Sequence, residues 1–170
     1  MDVRFVEATL AIHLELMDGS SDELFKKEYR VLSDFEEDSV GQWLKLAKAR
    51  GETSESDDVL LRLMVELHKK VDVLTAIIKK EERQLLELEI DSKINGIGFD
   101  HISLEDEIFE SDCEYYCRIE MPVFPKREMP MFLRALDKNR AQIILIHERD
   151  QRDWNAYVTA RERIMIRESK

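Results

Sequence analysis

The chain has 170 residues, 44% of them hydrophobic and 37% charged, with a formal net charge of −11. These totals fit one compact domain, or a small domain with a helical extension, and do not fit a disordered or membrane-embedded chain. No apolar run approaches the roughly 18 residues of a membrane span, and Met1-Asp2-Val3-Arg4 lacks a signal-peptide pattern, so a cytoplasmic location without membrane insertion is expected.

In chain order, Thr9 to Leu16 alternates. Leu10, Ile12, Leu14 and Leu16 fall on one face and His13 and Glu15 on the other, as in a half-buried strand. Asp18-Gly19-Ser20-Ser21 reads as a turn, followed by a short helix from about Asp22 to Leu32. A second helix starts in the acidic stretch Asp34 to Asp38, carries Val40, Trp43, Leu44 and Ala47 as one stripe, and stops at Gly51. A polar loop over residues 51–58 offers several N-caps.

The clearest periodicity follows. Leu60, Met64, Leu67, Val71, Leu74 and Ile78 are spaced by alternating fours and threes, which gives Met64, Val71 and Ile78 as a positions and Leu60, Leu67 and Leu74 as d positions. Leu63 and Ile77 widen the stripe at g positions. A helix over residues 58–83, about 26 residues, would be roughly 39 Å long, more than a small domain can cover. The expectation is a homo-oligomer built on this seam, with the apolar g positions favouring a tetramer over a dimer.

After Arg83 the period becomes two. Leu86-Glu87-Leu88-Glu89-Ile90 reads as a strand, Asn95-Gly96-Ile97-Gly98-Phe99 as a glycine-assisted turn or bulge, and Tyr115–Met121, Met131–Leu136 and Gln142–His147 as further strands. Asp137 to Arg140 forms a hairpin turn, and Pro122, Pro125 and Pro130 bracket a loop because proline is excluded from a central strand. Tyr115 and Tyr116 face opposite sides, one of them outward. The chain ends in a helix capped at Asp150 or Asp153, with Trp154, Tyr157, Val158, Arg161 and Met165 on its inner face. The fold class is α+β: a small antiparallel barrel, a long heptad helix and additional helices. Residues 1–20 join the barrel, 21–83 are helical, and 84–170 form the barrel and its C-terminal helix.

Little in the sequence suggests catalysis. Cys113 and Cys117 are too few for a disulfide framework and read as core or half-buried residues. His13, His68, His101 and His147 show no metalloprotease spacing, and Glu36-Glu37 and Glu105-Asp106-Glu107 read as solvated charge. Neither an enzyme, a cofactor nor a metal site is expected. The net acidity argues against a nucleic-acid polymer as partner, because each phosphate contact needs a cation.

Three features carry a family resemblance. Asp91-Ser92-Lys93-Ile94-Asn95-Gly96 resembles an [DN]-x-S-x-x-G strand motif, a similar strand meander follows it, and Ile146 to Arg163 gives a strand, an Asp-Arg pair and a helix with Tyr157 and an arginine-rich tail. In these respects residues from about Leu85 to Arg167 resemble a PilZ domain. The resemblance implies a small barrel that usually binds cyclic di-GMP through an R-x-x-x-R element and the serine motif. This chain departs from both. Lys79-Lys80-Glu81-Glu82-Arg83 holds one arginine, and Lys93 stands at the serine position, leaving Arg83, Asp91 and Gly96 as remnants. Atypical members with long helices form tetramers through heptad repeats, and the present chain looks similar to that kind. The resemblance therefore implies a regulatory adaptor, with a protein partner the sequence does not name, in bacterial motility, pilus or virulence control. The alternative is a nucleotide sensor with an unconventional pocket shared between subunits.

Overall fold

The computed structural model describes residues 4–34, 39–78, 85–122 and 127–170. The chain divides into two compact units, one of Met1–Ser33 with Leu86–Lys170 and the other of Asp34–Leu85.

The first unit is a closed antiparallel barrel. Its strands are β1 (Val6–Leu16), β2 (Ile90–Ile97), β3 (His101–Leu104), β4 (Glu114–Met121), β5 (Arg127–Ala135) and β6 (Arg140–Ile146), in the spatial order β1-β2-β3-β6-β5-β4. Period-two alternation places Leu10, Ile12 and Leu14 of β1 inside, where they meet Ile94, Ile97, Ile102, Leu104, Ile119, Met129, Met131 and Leu133. Closure gives every strand a neighbour on both sides over part of its length, which shortens the template that an open sheet offers to other chains.

Helix α1 (Asp22–Asp34) follows a turn held by Asp18, whose carboxylate accepts from the Ser20 N–H at 2.9 Å, with Gly19 at φ +92°. Its Phe25 stacks on Tyr116 at 5.2 Å, and Tyr116 lies 5.2 Å from Phe132, its register partner on β5. These three rings form a small outer core that Met17, Tyr29, Leu86 and Leu88 adjoin. Tyr115 points into the barrel and Tyr116 out of it, yet both are buried, because α1 covers the outward ring.

Helix α4 (Glu148–Glu168) lays Trp154 and Val158 on the barrel, with Tyr157 and Met165 beside them. Arg161 donates through Nε and a terminal nitrogen to the Glu7 carbonyl at 3.2 and 3.1 Å.

The second unit contains α2 (Ser39–Ala49) and α3 (Asp58–Ile78). Gly51, at φ +76°, ends α2 as expected. Its N–H donates to Lys48 O and that of Glu52 to Ala47 O, both at 3.1 Å, the paired bonds of a Schellman cap. Asp57 starts α3 by accepting from the Val59 N–H at 2.8 Å.

Several local expectations are corrected. Leu86 to Glu89 is not strand: Leu86 and Leu88 turn toward the outer core, and β2 begins only at Ile90. β3, four residues long, is too short for a clear period. Pro130 lies inside β5, opposite Arg118 of β4, but the pairing with β6 begins only at Met131, so β5 has a partner on one side there. Trp43 does not join a buried α2 stripe: it is 64% exposed, whereas Ala47 is buried. His147, not Asp150 or Asp153, caps α4, its ring nitrogen Nδ1 accepting from the Arg149 N–H at 3.3 Å. Asp150 is instead buried within the first turn, paired with Arg127 and Arg149. The last residues of the expected heptad helix, and Pro125, lie outside the described residues.

Candidate functional site

Two surfaces hold side chains whose placement the packing of the fold does not explain. The first is on α3. Leu60, Leu63, Met64, Leu67, Val71, Leu74 and Ile78 are all exposed, from 48% at Val71 to 79% at Ile78. The side chain of Ile77 lies outside the described residues. Seven large apolar groups at heptad spacing form one continuous stripe, and covering each would contribute about 1.5–3 kcal/mol. Its flanks are polar: His68 pairs with Asp72 at 3.3 Å and Lys69 with Glu66 at 3.2 Å.

The second surface is on the barrel's outer wall. His13 of β1 sits in register with Asp91 of β2 on one side and Arg118 of β4 on the other, while Glu120 of β4 faces Glu128 of β5. The imidazole Nδ1 lies 2.5 Å from Asp91 Oδ1, and Nε2 lies 3.2 Å from Glu120 Oε1 and 3.8 Å from Glu128 Oε1. The hydrogen bond to Asp91 is the main reason the histidine pKa is raised, opposed by burial and reinforced by Glu120 and Glu128.

Behind this cluster lies a buried network. Arg118 donates to Glu28 Oε1 at 2.6 Å and to the Leu86 carbonyl at 2.8 Å, and its Nε stands 3.6 Å from Glu128 Oε2. Glu28 also accepts from the Tyr116 hydroxyl at 2.8 Å and from the Leu86 N–H at 2.6 Å. Burial, then the neighbouring Glu28 carboxylate, pushes the Tyr116 hydroxyl far above its usual range, so it keeps the proton that it donates to Glu28.

Of the motif remnants, Asp91 is on β2 with its carboxylate engaged by His13. Gly96 is a packing requirement: a Cβ there would stand 2.5 Å from Ser103 Oγ and 3.1 Å from Phe5 Cβ. The Ser103 hydroxyl in turn donates to Asn95 Oδ1 at 2.6 Å. Arg83 lies outside the described residues. The period-two pattern places His13 on the outward face of its strand but does not reveal its partners Asp91, Glu120 and Glu128, the nearest of them 78 residues away in the chain. Their shared signal is outward parity on three strands, and it becomes legible only with the register.

On the barrel wall Phe99, Ile144 and Leu145 are also exposed, lining a shallow depression with Asp100 and Gln151. Cys117 is buried, with burial pushing its thiol pKa up, and Cys113 is half-buried; both are free. Among the described residues no helix is long and apolar enough to cross a membrane.

No protein-family model matches the chain, and no curated protein matches it. Among solved structures it is similar to a pathogenic protein of Xanthomonas campestris, described as a tetrameric PilZ domain self-assembled via an unusual helical bundle. The identity is 15%, the match covers 99% of this chain and 92% of that one, and the TM-score is 0.38.

Proposed function

We propose that the chain is a non-enzymatic regulatory adaptor of the PilZ type that self-associates through α3. The exposed heptad stripe carries this reading. A helix with seven large apolar side chains in water at coiled-coil spacing is stabilised by covering them, and a second copy offers the same spacing in return. The a, d and g positions together make the stripe wider than a two-stranded seam, which favours a tetramer. The barrel wall and α4 then remain for a partner protein in motility, pilus or virulence control, the setting that the sequence resemblance implies.

Replacing Leu67 and Leu74 together with Asp should convert the oligomer to monomers in light scattering, since each change places a charge in the seam. A wild-type monomer, or an unchanged mass in the variant, would sink the assignment.

Arg83 is the one arginine where the resemblance expects two, and Lys93 stands where it expects serine, so the usual cyclic di-GMP mode lacks its guanidinium pair and its hydroxyl. Calorimetric titration with cyclic di-GMP should therefore give no saturable heat at high micromolar ligand. Saturation in the low micromolar range would favour instead a sensor whose pocket is shared between subunits.

A further inference from the structure

We infer that His13, Glu120 and Glu128 form a binding site for a divalent transition-metal cation of the zinc(II) type on the outer wall of the barrel. It departs from the expectation of no metal site and stands independently of the self-association reading. The donor set is one imidazole nitrogen and two carboxylate oxygens, all within 4.8 Å of one another. Nε2 lies 3.2 Å from Glu120 Oε1 and 3.8 Å from Glu128 Oε1. A tetrahedral ion with bonds of about 2.0–2.2 Å needs donors roughly 3.4 Å apart, between these two values.

Orientation favours the same conclusion. With its proton on Nδ1, 2.5 Å from the Asp91 carboxylate, the neutral ring presents its Nε2 lone pair to the two glutamates. This is the carboxylate–histidine arrangement that fixes the tautomer of a metal ligand and raises its basicity. A lone pair and two carboxylates directed at one point are stabilised by a cation between them, either a proton or a metal ion.

The far side of Glu128 is held as well. Arg118, itself buried, keeps its Nε 3.6 Å from Glu128 Oε2, so Oε1 is the oxygen turned toward His13. All three donors stand on adjacent strands of a closed barrel, a more rigid support than a loop. Their side chains are 19% to 28% exposed, so they are held by neighbours but remain open to an ion arriving from solvent. Three protein donors leave a fourth position for water or a group from a partner. Imidazole with carboxylates suits zinc(II) or manganese(II), and zinc(II) ranks higher in general affinity.

The test uses chelator-treated full-length protein titrated with zinc(II) near neutral pH, by calorimetry and by thermal unfolding. Saturable one-to-one binding with a rise in Tm is expected, because a ligand that binds only the folded state stabilises it. His13→Gln and Glu120→Gln should abolish both responses. Asp91→Asn, which keeps every donor but alters the orientation of the ring, should weaken binding about tenfold or more. His68→Gln on α3 should bind as wild type does, which separates the barrel site from the His68–Asp72 pair. Circular dichroism confirms that each variant is folded, and Glu120→Gln serves if His13→Gln is not. Absence of saturable binding at millimolar zinc, or undiminished binding in the folded His13 or Glu120 variant, would overturn the assignment and leave a proton as the occupant.

Discussion

Replacing Glu28 with Leu should cost about 3–5 kcal/mol of folding stability, a large share of what a small domain possesses. Glu28 is 9% exposed and Arg118 5%, so neither charge has water to fall back on. The carboxylate serves the Arg118 guanidinium, the Tyr116 hydroxyl and the Leu86 N–H at once. Its removal takes an acceptor from three donors at once, two of them buried and one charged, and leaves Arg118 with only the Leu86 carbonyl and the more distant Glu128. The pair need not be a net source of stability, since the desolvation of both ions opposes their attraction. Removing one partner differs from removing both. A double change, Glu28→Leu with Arg118→Met, should therefore recover much of the loss, although the Tyr116 and Leu86 donors stay unsatisfied. Urea unfolding of wild type, both single variants and the double variant gives the comparison. A loss below about 1 kcal/mol for Glu28→Leu would mean that Glu128 or solvent satisfies Arg118 in its place.

How far each element is legible in the sequence depends on what its signal encodes. β1 and β4 were legible because period-two alternation is a local property, and Leu10, Ile12 and Leu14 do point inward. The stop of α2 at Gly51 was legible for the same reason: its cap is built by neighbours in the chain. Where tertiary context decides, the local signal fails. Leu86 and Leu88 alternate like a strand but meet the rings of the outer core instead of a neighbouring ladder. Tyr116 looks like a solvent-facing residue by parity and is buried because α1 folds over it. Asp150 looks like a cap and is drawn inward by Arg127, 23 residues earlier in the chain. The barrel-wall cluster is the extreme case. His13, Asp91, Glu120 and Glu128 are unremarkable polar residues until strand order brings β2, β1, β4 and β5 side by side.

Trp154→Ala should cost about 3–5 kcal/mol and loosen α4 from the barrel. Trp154 has no exposed surface, and its indole Nε1–H donates to the Gly98 carbonyl at 2.9 Å. The substitution removes the largest apolar group that α4 contributes to the core and leaves a cavity that the closed barrel cannot collapse to fill. It also strips the Gly98 carbonyl of its indole donor. Val158 is the other fully buried apolar contact of α4, and it is too small to hold the helix alone. The consequences should spread along the helix, releasing Arg161 from the Glu7 carbonyl one and a half to two turns further on. The protein's second tryptophan, Trp43, is 64% exposed, so a Trp43→Phe background isolates the buried indole as a fluorescence probe. In that background Trp154 emission should be blue-shifted in the native state and shift red in a single cooperative step with urea. Trp154→Ala, followed by circular dichroism, should unfold at a markedly lower midpoint. An unchanged midpoint would mean that α4 adds nothing to the stability of the barrel it covers.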